Sequence, residues 1–207
     1  MTDVLGAEFR PGLRTWTAHH EEWGQEVRGF AIVEPERLVL VDPLLVGDQW
    51  EELAETRGER TLDVLATLHF HVRSGAEVRE RHPDATLWGF EGGRAEIAER
   101  APLDRTFAIG EELPGGLVAL GPLPRAEVVF WDAARGALFA GDVLLGDGAE
   151  GGDGLTMCPE PWLDGPSLAA LRAELAPVLD LPVELVLTAH GEPTVAEAPA
   201  ALRRALA

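Results

Sequence analysis

Apolar and polar positions along this chain fall into two periods, and the switch between them outlines the fold. Short apolar runs bounded by turn residues mark strands, first at Trp16–Ala18 and Val27–Val33. Arg37–Val41 (RLVLV) follows across the turn Glu34-Pro35-Glu36, as in a hairpin, and ends at Asp42-Pro43. Asp48 then reads as the N-cap of a helix, Gln49–Arg57, stopped by Gly58. Leu62–Leu68 is a further apolar strand and leads into His69 and His71. Ser74–Arg81 has helical period and ends at His82-Pro83; Thr86–Trp88 is a short strand and Gly93–Arg100 a helix.

The second half is richer in strands. Gly116–Leu120, Glu127–Trp131 and Ala137–Ala140 are apolar, with Ala133–Gly136 as the turn between the last two. Gly146–Gly154 (GDGAEGGDG) reads as a flexible acidic loop. Ser167–Leu179 predicts an amphipathic helix with Leu168, Leu171, Leu175 and Leu179 on one stripe. Glu184–Thr188 is a buried strand running into Ala189-His190-Gly191, and Ala196–Leu206 is a closing helix. Strand pairs, then strands alternating with helices, then strands again predict an α/β sandwich of two mixed sheets with helices outside. Asp42, His69, His71, Asp142 and His190 all stand at strand ends, where α/β architectures place ligands.

Composition narrows the function classes. At 207 residues and 46% hydrophobic, the chain suits one domain, 1–207, with room for two internal halves. Net charge is −19, and all 17 basic residues are arginine. A surface this acidic repels nucleic-acid phosphates and anionic membranes, so neither is expected as a partner. No apolar run reaches membrane-spanning length, and MTDVLGAEFRPG lacks the basic and apolar regions of a signal peptide. The lone Cys158 has no partner for an internal disulfide, which fits a reducing cytoplasm.

The densest chemistry lies in ATLHFHVRSG, Ala66–Gly75. Histidines at i and i+2 on an extended or turning backbone can converge on one point, as a metal or acid/base site requires. The same stretch supplies Arg73 and Ser74 immediately afterwards.

Four segments, in order, resemble the metallo-β-lactamase superfamily: LVDPLL (Leu40–Leu45), TLHFHVRSG (Thr67–Gly75), LFAGDVLLG (Leu138–Gly146) and LTAHGEP (Leu187–Pro193). The resemblance runs from the Val27 strand to the end, and it implies a four-layer αββα sandwich with two mixed sheets. It also implies metal ligands. His69 and His71 fall on the first two histidines of the family's T-H-x-H-x-D-H pattern, Asp142 on the bridging aspartate and His190 on the late histidine. Arg73 falls on the family's aspartate, Ser74 on its next histidine, and Pro122, in the turn Gly121–Arg125, on the histidine of its G-H-T-P-G-like turn. One metal site then keeps His69, His71 and Asp142; the other keeps Asp142 and His190.

Two functions stay open on these residues. One is a hydrolase of a small ester, thioester or related substrate with at most one metal ion (zinc, iron or manganese), in which Asp142, His190 and Arg73 are the catalytic candidates. The other is a silent relative without metal, whose old pocket binds a small anionic ligand or only supports the fold. Arg73 offers a fixed positive charge that would pair with Asp142 or Glu127 in place of a second metal. A homodimer or assembly module is a third option and would need an exposed apolar patch.

Alternative readings accompany each motif. Asp42 reads as bonding the turn that leads to the histidine loop, and Asp142 as a turn aspartate. His19-His20-Glu21-Glu22-Trp23 reads as a loop or hairpin, since adjacent histidines on an extended chain point opposite ways. Trp16, Trp23 and Trp162 either wall a cavity or close a core. Cys158 has no neighbouring activator for a catalytic thiol, and the acidic 146–154 loop is not a phosphate loop.

Overall fold

The computed structural model describes residues 5–207, so the first four residues of the N-terminal stretch read above lie outside it. The chain divides into two compact units, Met1–Phe107 and Ala108–Ala207.

The first unit is built on seven strands hydrogen-bonded in chain order: β1 (Ala7–Arg10), β2 (Leu13–His20), β3 (Gln25–Val33), β4 (Arg37–Val41), β5 (Thr61–Leu65), β6 (Thr86–Phe90) and β7 (Arg105–Phe107). The first four pair antiparallel and the last four parallel, so the sheet is mixed. Parallel neighbours need crossovers, and three helices supply them: α1 (Gln49–Arg57), α2 (Gly75–Arg81) and α3 (Arg94–Ala98). β4 and β5 are buried at every position after the first, as expected of strands covered on both faces. Leu38, Leu40, Leu53, Leu62, Val64, Val78, Leu87 and Ile97 form the core between sheet and helices.

Trp16–Ala18 proves to be the middle of a longer strand that pairs with β3 as far as His20↔Gln25. The His19–Trp23 segment is therefore the tip of a hairpin, closed by a bond from Gly24 N–H to the His20 carbonyl. Asp48 does stand at the N-cap of α1, but its side chain makes no capping bond. Trp16 is buried and donates its indole N–H to the Leu44 carbonyl at 2.7 Å. It closes a core there, whereas Trp23 at the hairpin tip is exposed and stacks on His20.

The second unit carries β8 (Glu112–Leu113), β9 (Leu117–Leu123), β10 (Glu127–Asp132), β11 (Ala137–Phe139), β12 (Leu144–Leu145), β13 (Thr156–Met157) and β14 (Leu185–Leu187), with helices α4 (Leu168–Leu175) and α5 (Ala198–Ala205). Five strands form a sheet in the order β14-β11-β10-β9-β8, and β12 pairs with β13 as a separate ribbon. The β11–β14 pair is parallel and the others antiparallel, which makes this sheet mixed too. Asp132 closes the β10–β11 turn by accepting from Arg135 N–H at 3.1 Å.

The single helix expected over Ser167–Leu179 is instead α4 followed by a 3-10 segment, Ala176–Asp180. Pro177 is the reason, because it has no N–H for the α-helical ladder. Ser167 caps α4 by accepting from Ala170 N–H at 3.2 Å. The predicted stripe is real: Leu171 and Leu175 are buried, and Leu168 and Leu179 pack against the same core. Among the described residues, no helix is long and apolar enough to cross a membrane.

Candidate functional site

In the first unit the polar cluster forms where β4 and β5 end side by side. Asp42 follows β4, and its N–H bonds the Leu65 carbonyl at the end of β5. The backbone at Asp42 turns through a left-handed conformation, φ 51°, which aims its carboxylate at the loop after β5. Oδ1 accepts from Thr67 N–H at 2.8 Å, and Oδ2 from the Thr67 hydroxyl at 2.7 Å. Oδ2 also lies 2.9 Å from His71 Nδ1. An imidazole facing a carboxylate carries its hydrogen on Nδ1, which leaves Nε2 as the nitrogen with a lone pair. The sequence reading of Asp42 as the bond to the histidine loop stands, and it also orients His71.

The loop itself is a 3-10 turn, His69–Val72. Three residues per turn set neighbours about 120° apart, so side chains at i and i+2 diverge where a strand would align them. His71 is fully buried beside Asp42. His69 is only half-buried, and its ring lies 4.0 Å from that of Phe70. Ser74 ties the two loops together: its N–H bonds the Pro43 carbonyl, and its hydroxyl accepts from Leu45 N–H at 2.9 Å. Arg73 reaches back with Nη1 to the carbonyls of Arg28, at 3.0 Å, and Asp42, at 2.8 Å.

In the second unit the cluster is built around Glu127, the first residue of β10, whose side chain is wholly buried. Its Oε1 accepts from the N–H groups of Asp142 at 2.6 Å and Val143 at 3.2 Å, which fixes the turn carrying Asp142. Its Oε2 accepts from Arg125 Nη2 at 3.1 Å. The same Nη2 lies 3.6 Å from Asp142 Oδ2. The other oxygen, Asp142 Oδ1, lies 3.2 Å from His190 Nε2. Arg125 is thus in ion-pair range of both carboxylates of this unit. Sequence reading passed over Arg125 because it weighed only Pro122 in the Gly121–Arg125 turn. The backbone bends at Arg125 and Ala126, at φ 62° and φ 54°, so no local alternation announces the contact with Glu127.

His190 follows β14 on a tight turn. Gly191 sits at φ 77°, and a Cβ there would lie 2.4 Å from the Gly146 carbonyl oxygen. Gly146 in turn donates its N–H to the His190 carbonyl at 2.9 Å. A Cβ on Gly146 would lie 2.1 Å from the Glu192 carbonyl oxygen. The 146–154 loop thus clasps the histidine turn. Gly146→Ala is expected to cost about 1–3 kcal/mol of stability through this overpacking, read from urea unfolding. The Trp162 ring meets the His190 ring edge-on at 5.8 Å, so this tryptophan lies beside a site histidine.

Cys158 is buried in the same unit, and its thiol is pushed up to about 12 from an ordinary 9.0, first by burial and then by the Glu127 carboxylate. A raised folded-state value means the neutral thiol's stability is fully present below about pH 9 and is lost as pH rises towards 12. Iodoacetamide at pH 8 is therefore expected to label the urea-unfolded chain and leave the folded chain unmodified, as counted by intact mass.

His71, Asp142 and His190 are each buried, and each offers a ligand atom that could hold a metal ion; His69 is not among the residues so placed. Nitrogen and carboxylate oxygen donors suit zinc. Two such ligands on a tetrahedral zinc stand about 3.3 Å apart, close to the His190–Asp142 separation.

No known protein family matches the sequence, and no curated protein does. Solved structures do match. A metallo-β-lactamase from Pontibacter korlensis superposes with TM-score 0.74 at 18% identity, covering 97% of each chain. The DIM-1 metallo-β-lactamase superposes with TM-score 0.75 at 12% identity, over 96% of this chain and 94% of that one. FIM-1 from Pseudomonas aeruginosa, solved in a mono-zinc form, superposes with TM-score 0.69 at 16% identity, over 100% and 96%. The chain has the metallo-β-lactamase fold.

Proposed function

We propose that the chain, acting as one domain over 1–207, is a hydrolase using a single metal ion held by His71, Asp142 and His190, with a small ester or thioester as substrate. The observation that carries this reading is the donor set itself: two imidazoles and one carboxylate, all buried. Three protein ligands with an open fourth position are what catalytic zinc requires. The fold is shared with metallo-β-lactamases, one of them solved in a mono-zinc form. When bound, such an ion lowers the pKa of water and polarises a carbonyl oxygen.

The chain's own residues do the positioning. Asp42 holds the His71 ring and places its proton on Nδ1. Glu127 fixes the backbone that presents Asp142. Trp162 stands against the His190 ring. His69, whose ring packs on Phe70, is left out of the ligand set.

One observation favours the second reading, a silent relative. Asp142 already has a guanidinium and an imidazole within ion-pair range of its two oxygens, an arrangement that can offset a buried carboxylate's charge without metal. Initial rates on p-nitrophenyl acetate and an aryl thioester, with chelated and zinc-reloaded protein, separate the two. The metal reading expects hydrolysis that appears on reloading and is lost in His71→Ala. Rates indifferent to chelation and to His71→Ala would favour the silent relative.

A further inference from the structure

We propose that Arg57, His82 and Asp84 form an acid-sensitive latch in the first unit: neutral His82 holds the end of α1 against the end of α2, and its protonation releases that hold.

A guanidinium donates hydrogen bonds and accepts none. Arg57, in the last turn of α1, donates from Nη1 to His82 Nδ1 at 2.8 Å. That nitrogen must offer a lone pair, so His82 is neutral and carries its hydrogen on Nε2. A proton on Nδ1 removes the acceptor and sets a second cation beside the guanidinium. Histidine is the side chain that makes this change between pH 5 and 8.

The connections of Arg57 make the bond a tie between elements. Its Nε donates to the Arg60 carbonyl at 3.2 Å, just past α1. Its Nη2 pairs with Asp84, in the turn between α2 and β6. His82 is the C-cap of α2, and its N–H bonds the Val78 carbonyl. The Arg57 side chain is only 15% exposed, so water screens this tie less than a surface pair. At the other end of α2, the N-cap Ser74 bonds the Pro43 carbonyl and the Leu45 N–H. The helix is thus held at its start by bonds that do not titrate and at its end by one that does. A second contact between the helices, the Arg81 guanidinium 4.2 Å over the Trp50 ring, keeps its charge throughout this range.

The charged groups acting on His82 are Arg57 from α1, Asp84 from the turn and Arg81 from its own helix. Burial lowers the imidazole below its usual 6.5; Arg57 lowers it further, Asp84 opposes this, and Arg81 adds to the lowering. A value lowered by folding means that the latch's contribution to stability is fully present above about pH 6.5 and is lost as pH falls through the folded value. No residue of the proposed metal site takes part.

Nuclear magnetic resonance on the isotope-labelled full chain tests the latch. Imidazole nitrogen shifts at pH 8 are expected to place the hydrogen of His82 on Nε2. The His82 titration midpoint should lie below 6.5 and move up in Arg57→Met. Hydrogen exchange at Gly58 N–H, which bonds the Ala54 carbonyl at the end of α1, reads the opening itself. Corrected for intrinsic rates, its protection should fall more between pH 8 and pH 5 in wild type than in His82→Asn, whose amide oxygen can take the place of Nδ1 and does not titrate. A hydrogen on Nδ1, a midpoint at or above 6.5 or unmoved by Arg57→Met, or a loss of protection no larger in wild type than in His82→Asn would each overturn the latch. Should Arg57→Met not fold, the tautomer, the wild-type midpoint and the His82→Asn comparison decide.

Discussion

Glu127→Ala is expected to destabilise the protein by about 3–5 kcal/mol, the cost of breaking a buried ion pair from one side. The Glu127 side chain has no exposed surface and joins three groups: the N–H of Asp142, the N–H of Val143 and the Arg125 guanidinium. Alanine would leave both N–H groups without this acceptor and Arg125 with Asp142 alone. It would also leave a cavity at the start of β10, next to the turn that carries Asp142. Glu127→Gln keeps an amide oxygen for the N–H groups and loses only the charge, so it should cost less, about 1–3 kcal/mol. Urea unfolding of the three proteins checks the order. Equal midpoints for wild type and Glu127→Ala would mean that the carboxylate does not hold the turn.

Asp42→Ala should act on both stability and metal. The carboxylate accepts from Thr67 N–H, from the Thr67 hydroxyl and from His71 Nδ1, all in the buried interior of the first unit. Each donor left without an acceptor costs about 1–3 kcal/mol, and the Thr67 hydroxyl can recover part of this by turning towards His71. A total loss of about 2–4 kcal/mol follows. The His71 ring would also lose the partner that fixes its tautomer, so zinc affinity should fall roughly 10–100-fold. Asp42→Asn, which still accepts one backbone bond, should lie between. Competition with a chromophoric chelator measures the affinity, and thermal unfolding of the metal-free proteins measures the stability. An Asp42→Ala variant with wild-type zinc affinity would show that His71 is oriented by something else, or is not a ligand.

Much of the fold was legible because it rests on local pattern. β4 reads as RLVLV and β5 as an apolar run, and both stand as parallel neighbours of the first sheet. The stripe of α4 shows in the leucine spacing and does pack into the core. The misread stretches have physical causes. Pro177 ended α4 where the leucine spacing continued, because a missing N–H outweighs apolar period. The 146–154 loop, rich in glycine, read as flexible. At its start, Gly146 meets Gly191 and Glu192 in backbone approaches too close for a side chain, which no local pattern shows.

The site was legible in its members more than in its arrangement. His71, Asp142 and His190 were candidates from spacing and resemblance, and each is buried with a ligand atom to offer. Whether His69 and His71 align depends on backbone conformation, and the backbone after β5 is a 3-10 turn, in which residues two apart do not share a face as they do on a strand. Asp42 was read as bonding the turn before the histidine loop and not as the partner of His71, because the two lie 29 positions apart, beyond any local pattern. Arg125 was overlooked for a similar reason: its meaning depends on Asp142, which tertiary folding brings within 3.6 Å.

The most direct test of the account is metal content, by elemental mass spectrometry on untagged protein purified without chelator. About one zinc per chain is expected in wild type, lost in His71→Ala and in Asp142→Ala and retained in His69→Ala. No stoichiometric metal, even after incubation with zinc, iron or manganese salts, would contradict it and leave Arg125, Glu127 and Asp142 as a closed ion cluster that supports the fold.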